Sequence, residues 1–179
     1  QKDPVMIHKA CSLGLFLTLS LFAAQAAEDR DAKVRKDRED VLSDGRWIYN
    51  DLDKGIAESK TTGKPMLVVF RCIPCVACAG FDEQVVRYDQ RVQDLMERFV
   101  RVRIIQGNSM DLTLFQFDYD LSFAAFFMNP DKTIYGRFGK RSDQKKTEKD
   151  ISIEGFRKAM EAALDVHQNY GSFKESLRG

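Results

Sequence analysis

Apolar positions along the chain change their period several times, and each change marks an element. Trp47, Ile48, Leu52 and Ile56 recur at helical spacing, and Gly63 with Pro65 ends that helix. Met66 to Phe70 (MLVVF) is a continuous apolar run, the pattern of a strand covered on both faces. Cys78, Phe81, Val85 and Tyr88 follow at i, i+3, i+7 and i+10, a helix with one buried face. Val92, Leu95, Met96 and Phe99 continue helically. Val100, Val102 and Ile104 then alternate with Arg101 and Arg103, which predicts a half-buried strand. Asp111 to Phe117 suggests a short helix. Phe123 to Met128 (FAAFFM) is a second buried strand, Asn129-Pro130-Asp131 is turn chemistry, and Thr133 to Phe138 is the returning hairpin strand. Arg141 to Asp150 is a polar, Lys-rich loop. Ile153, Phe156, Met160 and Leu164 mark a closing helix, with fraying expected from Tyr170 onward.

The order is helix, strand, helix, strand, helix, strand, strand, helix. Strands joined through helices should be parallel, by the right-handed crossover rule, and the last pair must be an antiparallel hairpin. The expected fold class is therefore α/β: three layers, with a central mixed sheet and helices on both faces. The 179 residues suit one such domain plus appendages, and no internal repeat divides them.

The chain start reads as an address rather than as fold. Ser12 to Ala24 is an uncharged apolar run of about 13 residues, short of the ~20 that span a bilayer. His8 and Lys9 precede it, and Ala24-Gln25-Ala26 offers small residues where a signal peptidase reads. Residues 1–26 are expected to be a signal peptide cleaved before Ala27, with residues 1–5 spurious before Met6. Residues 27–45 are densely charged and expected to be a flexible lead-in. The domain proper is expected over 46–168, with a tail at 169–179. This implies export to the periplasm or the medium, with no stable membrane insertion after cleavage.

Composition removes several function classes. Hydrophobic residues make up 44% and charged residues 31%, a globular balance, and the net charge is +1. There is no basic footprint for nucleic acid. Cleavage at 26 would remove Lys2, Lys9 and Asp3, leaving 26 residues of each charge. It would also leave one His, too few for a Ser-His-Asp triad or a His-ligated metal.

The chemistry sits in Phe70-Arg71-Cys72-Ile73-Pro74-Cys75-Val76-Ala77-Cys78. Three thiols within seven residues cannot staple distant parts of a fold. They suit redox exchange or soft-metal binding, or they are inert. Two Cys-x-x-Cys pairs overlap, and periodicity favours Cys75/Cys78. With Cys78 in the first helical turn, Phe81 and Val85 point inward; with Cys75 there instead, Asp82 would aim a charge at the core. Cys75 then caps the helix N-terminus, where free N–H groups and the helix dipole favour a thiolate.

Gly63-Lys64-Pro65, the MLVVF strand, a Cys-x-x-Cys beginning five residues after Phe70, the Asn-Pro-Asp turn and the closing helix together resemble the thioredoxin-like superfamily. The stretch Trp47 to Pro65 resembles its exported single-domain members, and the resemblance covers roughly Arg46 to His167. It implies thiol–disulfide exchange, with Cys75 as nucleophile and Cys78 as resolving thiol, and no bound cofactor. The partners implied are a disulfide-containing protein or small molecule and a separate redox partner. Three departures from the family pattern are visible. The loop Asp120 to Ala124 has no proline where the family places a cis-proline. Val69 stands where thioredoxins carry a buried acid. Pro74 replaces the aromatic residue before the first active Cys.

Several residues have secondary readings. Cys72 is an auxiliary thiol. Cys72, Cys75 and Cys78 together would alternatively hold a soft ion such as copper, with a ligand from outside. Ile73, Pro74 and Phe123 are candidates for substrate docking, although the phenylalanines of this strand are mainly core. Asp82 is a candidate proton acceptor beside Cys78, but like Glu83 it has the simpler role of complementing a helix dipole. His167 reads as a cation near a helix end rather than a catalytic group.

Overall fold

Among the described residues five strands form one sheet: β1 (Ile48–Tyr49), β2 (Met66–Arg71), β3 (Val100–Ile104), β4 (Phe123–Met128) and β5 (Ile134–Phe138). Their order is β1-β3-β2-β4-β5, so the apolar run at 66–70 becomes the central strand. The computed structural model describes residues 30–71, 89–105, 107, 110–116, 123–139 and 152–177. The described helices are α1 (residues 30–44), α2 (Leu52–Thr62), α3 (Gln90–Met96), α4 (Ile153–Gln168) and α5 (Tyr170–Phe173). None is long and apolar enough to cross a membrane.

As the alternation of helices and strands requires, β1, β3 and β2 are mutually parallel. β4 runs antiparallel to β2, and β5 antiparallel to β4 with an irregularity at Phe127/Met128. The sheet is buried on both faces. Leu67 and Val69 of β2 join Ala125 and Phe127 of β4 beneath Met96 of α3 and Phe156, Met160 and Leu164 of α4. Met66, Val68 and Phe70 face the other way, with Val102, Phe126 and Ile56 of α2. This is the expected three-layer α/β arrangement.

Five local expectations change. Trp47 and Ile48 do not belong to the first body helix. Asn50 adopts a left-handed φ of 54°, which separates β1 from α2, and Asp51 caps α2 by accepting from the Lys54 amide. Residues 27–45, expected to be flexible, contain helix α1 over 30–44, with a half-buried stripe of Val34, Asp37 and Val41. The tail does not fray at Tyr170: α5 follows α4, and the Tyr170 hydroxyl binds Asp131 and Thr133. Residues 111–116 form turns rather than a helix. Asp111 accepts from the Thr113 amide and hydroxyl, and Phe115 enters the core edge-on to Phe70 (5.1 Å) and Phe126 (5.2 Å). Last, β3 is not half-buried: Arg101 and Arg103 are buried along with the alternating Val100, Val102 and Ile104, at 8% and 6% exposure.

Candidate functional site

The residues that carry the expected chemistry leave the sheet at one edge. β2 ends at Arg71, one residue before Cys72. The parallel neighbour β3 ends beside it, and the antiparallel β4 begins there, with Phe123 in register opposite Arg71. The topology thus brings the backbone of the candidate docking residue Phe123 next to the strand end that feeds the cysteines. Cys72, Ile73, Pro74, Cys75, Cys78, Asp82 and Glu83 lie outside the described residues, as do the residues expected to form the signal peptide.

A charged cluster occupies the same edge. Arg71 Nη1 donates to Asp37 Oδ1 at 3.0 Å, and Arg103 Nη2 donates to the same oxygen. Tyr49 donates its hydroxyl hydrogen to Asp37 Oδ2 at 3.0 Å. The side chains of Arg71, Arg103 and Asp37 are only 8%, 7% and 12% exposed. Burial pushes the Tyr49 hydroxyl far above the usual phenol range, and the negative charge of Asp37, which accepts its hydrogen bond, pushes it further. The pairing explains why two arginines on one face of β3 and β2 can be buried: a charge leaves water only when paired and hydrogen-bonded.

Arg101, two residues before Arg103 on the same face, lies with its guanidinium carbon 5.8 Å from the Trp47 ring centroid. Its Nε and Nη1 have no hydrogen bond among the described residues. Burial lowers its pKa, and the nearby Arg46 charge lowers it further. Arg46 itself is held by Asp44, with Nε 2.7 Å from Oδ1 and 2.9 Å from Oδ2.

Sequence reasoning missed this cluster. Its signal was present: Val34, Asp37 and Val41 at i, i+3 and i+7 are a helical stripe with an acid in its middle.

The opposite edge of the sheet is built differently. His167 is there, where it bridges α4 to the turn after α2. Its Nε2 faces the Gly63 carbonyl at 2.9 Å, and its Nδ1 meets the Tyr135 hydroxyl at 2.6 Å. A carbonyl only accepts, so Nε2 carries a hydrogen. Gly63 caps α2 with φ 68°, a conformation glycine adopts without strain. An open hollow of about 460 Å³ lies beside this bridge, lined by Lys64, Asp94, Glu97, Arg98, Leu164 and His167, among others. It adjoins the start of β2, away from the strand end that leads to Cys72. His167 is therefore more than the helix-end cation of the sequence reading; it ties three elements together, at the edge remote from that strand end. Among the described residues no group of three or more His, Cys, Asp or Glu is arranged to hold a metal.

A central strand running into a Cys-x-x-Cys segment, a parallel partner on one side and an antiparallel hairpin on the other define an α/β protein of thioredoxin-like architecture. Residues 47–130 match a family model described as thioredoxin-like. Among solved structures it is similar to a disulphide isomerase from Xylella fastidiosa Temecula1, at 21% identity and a TM-score of 0.43, over 62% of this chain and 86% of that one. No curated protein matches the sequence.

Proposed function

We propose that the protein is an exported thiol–disulfide oxidoreductase working through Cys75 and Cys78. The observation that carries this reading is the place of the motif. The central strand of a thioredoxin-like sheet ends at Arg71, and Cys75 follows four residues later inside the matched segment. The Cys75 thiolate attacks one sulfur of a substrate disulfide, forms a mixed disulfide and expels the other sulfur as a thiolate. Cys78, deprotonated, then attacks the Cys75 sulfur and releases the second substrate thiolate. The substrate gains two electrons, the chain ends as the Cys75–Cys78 disulfide, and an external dithiol restores it. The reverse sequence oxidises a substrate dithiol. No bound cofactor takes part. Ile73, Pro74 and Phe123 would border the approach to the thiols, and Asp82 would accept the Cys78 proton. Cys72, three residues before the nucleophile, would act as an auxiliary thiol. Export rests on the apolar run and small-residue site of residues 6–26.

The test is insulin disulfide reduction by dithiothreitol, with protein purified anaerobically. Cys75→Ser should lower turnover by about 100-fold or more, and Cys78→Ser should accumulate a mixed disulfide visible on a non-reducing gel. Turnover that survives Cys75→Ser removes Cys75 from the nucleophile role. Copper or zinc copurifying at one per chain would replace this reading with the soft-metal one.

A further inference from the structure

We infer that the row of arginines on one face of β2 and β3 is a docking surface for an acidic helical segment of a partner protein, which the chain fills in the free state with its own helix α1. The occupant already present defines the ligand. α1 lays Val34, Asp37, Val41 and Asp44 along one stripe, at i, i+3, i+7 and i+10. Asp37 takes Arg71, Arg103 and Tyr49. One stripe-turn pair further on, Asp44 takes Arg46 and acts electrostatically on Arg101. Asp37 therefore meets two guanidinium groups of the sheet, those of Arg71 and Arg103, while Asp44, seven residues on, pairs with the exposed Arg46 of the segment that follows α1.

Two observations mark this surface as a binding site rather than only an intramolecular contact. Arg101 is buried, yet Nε and Nη1 have no acceptor among the described residues. A buried donor without a partner is costly and calls for an explanation, and α1 does not supply its partner. A segment with a further carboxylate would. The second observation concerns α1 itself. Apart from its stripe it is exposed, Leu42 included at 50%. Isolated helices of this length are marginal in water, so docking holds it, and the docking is mainly ionic. Exchanging one carboxylate for another keeps the buried arginines paired throughout. The cis segment has the advantage of high effective concentration, so a competitor must offer several carboxylates at once rather than one.

The location gives the surface a use. It borders the strand end that leads to Cys72, so a bound acidic segment would be held where β2 passes into the thiol-bearing residues. The binding itself does not depend on the redox reading, and the test keeps the two apart.

The probe is a fluorescein-labelled synthetic peptide with the sequence of residues 30–45, and its control has Asn at the positions of Asp37 and Asp44. Anisotropy is measured against full-length protein with all thiols alkylated. The double variant Asp37→Ala/Asp44→Ala disables the cis ligand and should bind the probe about tenfold or more tighter than the wild type, with the control peptide binding neither. Adding Arg103→Met to that variant removes an arginine that Asp37 of the probe would pair with and should weaken the probe again, while the melting temperature does not fall because the variant has no Asp37 left to lose its partner, a combination that a purely structural role for Arg103 would not give. In the wild type, a saturating concentration of probe should speed amide hydrogen exchange across residues 30–44. Equal affinity of wild type and double variant, equal binding of the control peptide, or saturation without faster exchange in α1 each overturns the proposal. Insulin reduction is not read in this experiment, so its outcome leaves the redox assignment untouched.

Discussion

Tyr170 donates its hydroxyl hydrogen to Asp131 Oδ2 at 2.6 Å, tying the C-terminal segment to the β4–β5 turn across 39 residues. Burial alone would raise the Asp131 pKa, but hydrogen bonds from Tyr170, Asn129 and Thr133 outweigh it and hold the carboxyl well below the usual aspartate range. A carboxylate whose folded pKa is depressed stabilises fully above its unfolded pKa of about 3.9, and that contribution fades as pH falls below it. Tyr170→Phe should therefore cost about 1 kcal/mol at pH 7, less than the usual charged hydrogen bond because the Asp131 side chain is 38% exposed and screened by solvent. Thermal melts from pH 7 to pH 2.5 should show the gap between wild type and variant closing below about pH 4. A gap that widens on acidification would contradict the assignment.

A methyl group built on Gly55 would stand 2.4 Å from Val102 Cγ2 and 2.9 Å from Met66 Cε. Helix α2 lies this close to the sheet only because position 55 has no side chain. Alanine is about 1 kcal/mol the better helix former, but overpacking a rigid sheet position costs about 1–3 kcal/mol and decides the sign. Gly55→Ala should lower the urea midpoint, and Val102→Ala in the same chain should recover part of the loss. A more stable Gly55→Ala protein would show that α2 can lift away freely.

Arg101 makes the opposite prediction. Its charge is buried under Trp47 with two donors unmet among the described residues. Replacing a buried ion by an apolar side chain of similar length is neutral or stabilising by about 1–4 kcal/mol. Arg101→Met should raise the urea midpoint, whereas Arg103→Met, which strips Asp37 of a partner, should lower it. If both variants lose stability equally, Arg101 has a satisfied role.

His167 separates stability from activity. Its two ring nitrogens hold Gly63 and Tyr135, at the sheet edge remote from the strand end before Cys72. His167→Ala should cost about 1–2 kcal/mol by leaving these partners unmet, and insulin reduction by the folded variant should stay within about twofold of the wild type. A tenfold fall in turnover with the melting curve still cooperative would place His167 in the reaction.

The strands β2 and β4 and helix α4 were legible in the sequence because each buries a continuous or periodic apolar set, and β5 because the Asn129-Pro130-Asp131 turn returns the chain. β1 was not. It is two residues long, too short to show a period, and Trp47 and Ile48 fall by coincidence on the helical spacing of Leu52 and Ile56. The arginines of β3 look solvent-facing because alternation with valine carries no information about a distant acid. Asp37 lies 34 residues from Arg71 and 66 from Arg103, and a segment of that charge density reads as disordered until its partners are known. The Cys-x-x-Cys motif stands out in the sequence because thiol spacing is local. The arginine cluster beside its strand needed the parallel pairing of β2 with β3 to become visible.

Trp47 is the sole tryptophan of the chain, and Arg101 places a cation near its ring, 5.8 Å from the centroid. The molecule thus carries a built-in optical reporter. Ultraviolet emission excited selectively at this indole comes from one spot, where the shortest strand meets the third. Loss of that strand pairing during unfolding would move the indole from a guanidinium-flanked crevice into bulk water and change its emission. The peripheral strand can therefore be followed separately from the backbone signal of the whole sheet, without a dye or a label.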